Sequence, residues 1–142
     1  MVTRLLRENG IEPTVIDLNV DAVRALREQG VRAVYGDATH RDTLAEAGAS
    51  HADHLILTSA GLADGREAIR HAKELNPRIH VLARAPYLRD LDALRRAGAE
   101  TVISAEGEVG LALTEAVLHR LGATPDQIDH ERERVRTEFR PP

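Results

Sequence analysis

The sequence predicts an α/β fold in which a parallel sheet is covered by helices. Short apolar runs alternate with longer segments of helical period almost to the C-terminus. The runs are mostly continuous rather than alternating, as strands buried on both faces require. A length of 142 residues fits one domain, within the usual range of roughly 100–150.

Each element has its own local reason. Residues 3–8 read as the second half of a helix ended by Asn9-Gly10, and the first strand comes next as Thr14-Val15-Ile16. Asn19 is a good N-cap for a crossover helix whose Val20, Val23 and Leu26 recur at helical spacing, and Gly30 stands where a left-handed C-cap is wanted. Ala33-Val34-Tyr35, Leu55-Ile56-Leu57, Ile79-His80-Val81-Leu82 and Thr101-Val102-Ile103 are the later strands. Helices are predicted over 41–47 and 63–75, and another carries Leu88, Leu91 and Leu94 from Pro86 to a stop at Gly98.

Segment 106–121 is apolar on two sides: Val109, Leu113, Ala116 and Val117 form one stripe, Leu111, Leu118 and Leu121 the other. Such a helix needs two partners, either its own sheet and a second subunit, which would make a homodimer, or two walls of a single core. Thr124-Pro125-Asp126-Gln127 reads as a capping box with proline at the first helical position. The helix it opens has only a thin stripe of Ile128, Val135 and Phe139 among alternating Arg and Glu, which predicts a solvated appendage or linker ending in a frayed Arg140-Pro141-Pro142. The chain thus divides into a domain at 1–121 and a helical tail at 122–142.

Composition excludes several classes of function. A net charge of -4 leaves no broad basic face for a phosphate backbone, and aromatics at 2% cannot supply base stacking, so nucleic acid is not an expected partner. The absence of cysteine removes disulfides, thiolate metal sites and thiol catalysis, and fits a cytoplasmic location. No apolar run approaches the roughly 20 residues that span a bilayer, so direct membrane insertion is not expected. His51 and His54 have poor spacing for a metal and read as loop residues, and no G-x-S-x-G surrounds Ser59, so neither a metal site nor covalent catalysis is predicted.

In an open parallel sheet, ligands bind beyond the carboxyl ends of the strands. The residues ending the runs are Asp17, Asp37, Thr58, Arg84 and Ser104, separated by 20, 21, 26 and 20 positions, the repeat of successive strand-and-helix units. All five therefore belong on one rim. A carboxylate at the end of a strand offers acceptors to both ribose hydroxyls, which suits Asp17, although a turn or helix-start aspartate before Asn19 fits its spacing equally. Asp37 has a matching alternative as a cap of the next helix. Arg84 has one as an ion-pair partner of Asp37 or Glu106. The glycine-rich phosphate turn of a dinucleotide site lies roughly 20 residues before such an acid, and no G-x-G-x-x-G precedes Asp17. The count places that turn and its strand upstream of Met1, which predicts a gap between the strand of Val15 and that of Leu55.

Four stretches together carry a resemblance: Val15-Ile16-Asp17-Leu18-Asn19, Tyr35-Gly36-Asp37-Ala38-Thr39, Val81-Leu82-Ala83-Arg84-Ala85, and Ala97-Gly98-Ala99-Glu100-Thr101-Val102-Ile103-Ser104. The sequence resembles the RCK or KTN (TrkA-N) domains that regulate potassium conductance and transport. Its tail from Leu121 looks like the segment C-terminal to this domain in monovalent cation:proton antiporters of the Kef type. The resemblance implies a Rossmann-like fold, doubly wound, without its first strand and glycine turn. It implies a non-enzymatic domain on the cytoplasmic side of a membrane cation transporter, binding NAD(H) or an adenine nucleotide such as AMP and passing its occupancy to the ion pathway. Carried over by position, Asp17 would hold the adenosine ribose, Asp37 and Ala38 would line the adenine end, Thr58 and Ser59 would approach phosphate, Arg84 would face phosphate or a carboxylate, and Glu106 would lie near the nicotinamide side. The absent glycine turn weakens pyrophosphate binding. The loop 60–65 lacks the acidic cluster by which some channel-associated members bind calcium, so no calcium site is expected. Two other classes share the sheet: an NAD-dependent oxidoreductase fragment, and a dimerisation or scaffold domain without a ligand.

Overall fold

A computed structural model describes residues 1–58 and 61–138. Five strands and seven α-helices alternate along them. In chain order they are α1 (Val2–Glu8), β1 (Thr14–Asp17), α2 (Val20–Glu28), β2 (Arg32–Tyr35), α3 (Arg41–Glu46), β3 (His54–Leu57), α4 (Leu62–Leu75), β4 (His80–Ala85), α5 (Leu91–Ala97), β5 (Thr101–Ser104), α6 (Ala105–Arg120) and α7 (Pro125–Glu138). The local signals act as their chemistry requires. Asn19 accepts from the amides of Asp21 and Ala22 at the start of α2, and Gly30 closes that helix with a φ of 74° that a side chain would resist. At α7 the Thr124 hydroxyl accepts from the Gln127 amide while the Gln127 side chain accepts from the Thr124 amide, a complete capping box. A 3-10 turn, Leu88–Asp90, leads into α5.

All strand pairs are parallel, but they form two ladders: β1 with β2, and β3–β4–β5 in that order. The gap expected between the strands of Val15 and Leu55 is therefore present, and β1 and β3 do not pair directly. This split changes the burial that the continuous apolar runs predict. β4, with a neighbour on each side, buries Val81, Ala83 and Ala85, and β2 buries Ala33 and Val34; β1 is half-buried throughout, and Ile56 of β3 and Ile103 of β5 are exposed. A strand at the side of a short ladder lacks the neighbours that would cover it.

The main apolar cluster gathers β3, β4, α3, α4 and α5 around Leu44, Ile69, Ile79 and Val81, each no more than 1% exposed. Glu100 fastens β4 to the loop before β5. Its carboxylate accepts from the Val81 amide at 2.6 Å and from the Lys73 ammonium, and Lys73 also donates to the Ile79 carbonyl. Burial raises the Glu100 pKa, but these hydrogen bonds and the Lys73 charge outweigh it and hold the carboxyl below its ordinary value.

The helical tail corrects one expectation. Rather than standing free as a solvated appendage, α7 lies against α6. Ile128 is 2% exposed, and Arg132 grips Glu115 in a bidentate pair at 2.6 and 2.9 Å. The hydrogen bonds from Arg132 hold the Glu115 carboxyl below its usual range. Arg136 adds a contact to Glu108 at 3.3 Å. Phe139 and the terminal residues expected to fray lie outside the described residues. Among the described residues no helix is long and apolar enough to cross a membrane.

Candidate functional site

The carboxyl ends of the strands place the predicted rim residues. Asp17 ends β1, Asp37 stands two residues past β2, Thr58 one past β3, Arg84 lies next to the last residue of β4, and Glu106 is the second residue of α6, directly after β5. The two aspartates are built as a pair. The Gly36 amide donates to the Asp17 carbonyl at 3.1 Å, so the chain leaves β2 in register with the end of β1. Each carboxylate then accepts the amide two residues on: Asp17 Oδ1 from Asn19 at 2.8 Å, and Asp37 Oδ1 from Thr39 at 2.8 Å. These turns realise the alternative reading for Asp17 as a turn residue. Asp37 makes a turn rather than a helix cap, since His40 is the N-cap of α3. Hydrogen bonds from the Thr39 backbone and side chain hold the Asp37 carboxyl below the ordinary aspartate value. A turn bond occupies one acceptor position of each carboxylate, and a carboxylate offers about four. Both acids retain acceptor capacity on one side of the rim.

The other ladder contributes Arg84 and Thr58 as a second unit. Arg84 is exposed and donates from Nη1 to the Thr58 carbonyl at 3.2 Å. It forms no ion pair with Asp37 or Glu106 among the described residues. Its remaining guanidinium donors point to no partner within the described chain, which suits an anion supplied from outside. Glu106 is occupied differently: its carboxylate accepts the Leu88 amide at 2.9 Å and pins the segment leaving β4. Ser104 is buried and caps α6 by accepting the Gly107 amide, so this rim position is structural. Ala38 is half-buried against the main apolar cluster. Ser59 lies outside the described residues.

The role of Gly36, quoted above only within its stretch, and the residue His71 escape the sequence reading. Gly36 joins the two aspartate turns. His71 of α4 reaches the same place from the other side, with Nδ1 at 2.7 Å from the Thr39 carbonyl. The Gly-Asp pair directly after a strand is a visible sign of the first, whereas no local pattern marks the second. His54, expected in a loop, instead opens β3 beside His80 of β4, their rings 5.6 Å apart. Among the described residues no group of three or more His, Cys, Asp or Glu side chains could hold a metal ion. A shallow hollow of about 430 Å³ between α6 and α7 is lined by Leu118, Ala123, Asp126, Gln127, His130 and Glu131, and takes none of its lining from the strand-end rim.

Known proteins share this fold. The TrkA-N domain of the inner membrane protein ybaL from Escherichia coli is 31% identical over 81% of this chain and 85% of that one, with a TM-score of 0.77. The GsuK channel bound to NAD is 25% identical over 79% of this chain and 20% of that one, with a TM-score of 0.71. The Kef CTD of Shewanella denitrificans in its AMP-bound form, 21% identical over 96% of this chain and 83% of that one, has the same fold at a TM-score of 0.80. The TrkA-N family model matches residues 1–105, from α1 through all five strands to the start of α6. That match spans most of the chain, and with the likeness to ybaL it shows that this chain belongs to the TrkA-N domain family.

Proposed function

We propose that this chain is a cytoplasmic regulatory domain of a potassium or other monovalent cation transport system, binding an adenine nucleotide at the strand-end rim and passing its occupancy to the ion pathway. The observation that carries the reading is the pair of aspartate turns locked together through Gly36. Hydrogen bonds to backbone amides fix both carboxylates in place and leave acceptor positions for the two ribose hydroxyls at Asp17 and for the adenine end at Asp37 with Ala38. Arg84, held by Thr58, supplies donors for a phosphate from the opposite ladder, with Ser59 on the same segment and Glu106 at the far end of the rim. The NAD of the GsuK structure and the ADP of another GsuK structure are ligands of those proteins, and both contain the adenosine unit these residues suit.

The residues present fit an adenosine monophosphate better than a dinucleotide. No G-x-G-x-x-G turn occurs in the sequence, so the amide donors and helix dipole that such a turn aims at a pyrophosphate are not furnished by these 142 residues. The partner surface belongs to the same proposal. Val109, Leu113, Val117 and Leu121 are 60%, 65%, 56% and 78% exposed and recur every four residues along α6 and its end, an apolar stripe suited to a second copy of the chain.

Calorimetric titration of the purified chain with AMP and with NADH in the same buffer tests the ligand. AMP is expected to bind more tightly, and Asp17→Ala to weaken it by about 1–3 kcal/mol by leaving ribose hydroxyls unpaired. An unchanged affinity for Asp17→Ala, or micromolar NADH binding ahead of AMP, overturns the proposal.

A further inference from the structure

We infer that His71 is a positioning residue for the nucleotide rim: it holds the Asp37 turn from the opposite half of the molecule. The inference rests on the nucleotide reading above for its ligand, and on geometry for the hold itself. His71 is half-buried on α4, the crossover between β3 and β4, whereas Asp37 and Thr39 come after β2. The two halves share no ladder, and contacts of this kind tie them together with the packing of Ile16 and Ala38 on the main apolar cluster.

The partners of His71 determine its proton. Nε2 lies 2.8 Å from Nη2 of Arg70, and a guanidinium only donates, so Nε2 must accept. The proton of the neutral ring therefore sits on Nδ1, where it donates to the Thr39 carbonyl at 2.7 Å. Arg70 is itself held by Glu74 at 2.8 Å and lies 3.6 Å from Glu67, which fixes the guanidinium that selects this tautomer. Thr39 is consequently gripped at both ends. Its carbonyl is taken by His71, and its amide donates to Asp37 Oδ1. Through that single residue, the orientation of the Asp37 carboxylate depends on α4. The same half carries Arg84 and Thr58, so His71 sets the two sides of the rim at their mutual distance.

The test uses three variants of the full chain. His71→Ala and His71→Leu remove the donor, the second with most of the volume kept; His71→Asn keeps an N–H close to the position of Nδ1. Amide exchange at Thr39 and His40 by NMR reads the turn, calorimetry with AMP reads the rim, and a melting curve checks folding. The expected result is faster exchange by roughly 10-fold and AMP affinity lower by roughly 2- to 10-fold for Ala and Leu, with Asn within about twofold of wild type on both. Unchanged exchange in His71→Leu overturns the hold, whatever AMP does. Faster exchange with unchanged AMP affinity overturns the positioning role, as does failure of Asn to restore either. A wild type that does not bind AMP while His71→Leu exchanges faster sinks the nucleotide reading and supports the hold on the turn.

Discussion

A single methyl group at Gly36 is enough to test how the rim is built. A Cβ added there would lie 2.8 Å from Thr43 Cγ2, closer than real Cβ atoms approach, and 3.0 Å from Thr43 Oγ1, a tight contact. Neither neighbour can retreat easily. Thr43 is β-branched and restricted in its rotamers within α3, and the adjacent Leu44 is 1% exposed in the main apolar cluster, which anchors the helix. The displacement falls on the turn that carries Asp37. Overpacking of this kind costs about 1–3 kcal/mol, which for a domain of this size lowers the melting temperature by roughly 3–10 °C. Removing the obstacle should remove the cost. In a Thr43→Ala background the nearest remaining atom is the residue 43 Cβ at 3.5 Å, an ordinary contact. Urea denaturation of Gly36→Ala, Thr43→Ala and the double variant closes the cycle, and any backbone cost of alanine at position 36 cancels because it is common to both backgrounds. A coupling energy of about 1 kcal/mol or more is expected. If Gly36→Ala costs the same in both backgrounds within about 0.3 kcal/mol, the account of Gly36 as a contact-limited joint is wrong.

Two further outcomes concern the site and the helices. An NMR titration of the Asp37 carboxyl should give a midpoint below that of an ordinary aspartate, because the Thr39 hydrogen bonds favour the ionised form; the stability this group contributes is present above about pH 4 and is lost as pH falls through the folded midpoint. A midpoint at or above the ordinary value contradicts the turn geometry. Leu113→Glu should shift sedimentation from dimer to monomer at matched concentration, since Leu113 lies mid-stripe on the exposed face of α6; a wild type that sediments as a monomer at high concentration removes the dimer reading.

Much of the architecture is legible because it is written locally. Asn19, Gly30 and the Thr124–Gln127 box act on neighbours within a few positions, and each does in three dimensions what its chemistry predicts in one. The repeat that assigns Asp17, Asp37, Thr58 and Arg84 to strand ends is likewise a property of chain spacing. The features that cannot be read this way depend on partners far along the chain. His71 meets Thr39 across 32 positions, and Arg132 meets Glu115 across 17, so α7 reads as a solvated charge-rich helix although its arginines hold it on α6. Periodicity assigns the stripes of α6, but which one faces outward depends on where α7 docks: Leu118 is half-buried beside the tail, and the Val109–Leu113–Val117 stripe is left open.

The two-ladder sheet has a consequence for how the molecule comes apart. The main apolar cluster contains none of Val23, Val31, Ala33 or Val34; from the first ladder and the turn after it, only Ile16 and Ala38 reach the cluster as partly buried neighbours. Opening the segment from α1 to β2 therefore leaves that cluster whole, so this segment is a cooperative unit of its own with an opening free energy below the global value. Its amides should lose hydrogen-exchange protection together and ahead of those in β4, and melting should be broader than one all-or-none transition predicts. A ligand gripped by both ladders raises the cost of that opening by RT ln(1 + [L]/Kd), about 2.7 kcal/mol at a hundredfold excess over Kd. On the nucleotide reading proposed above, ligand concentration would then set the fraction of time the two halves stay shut.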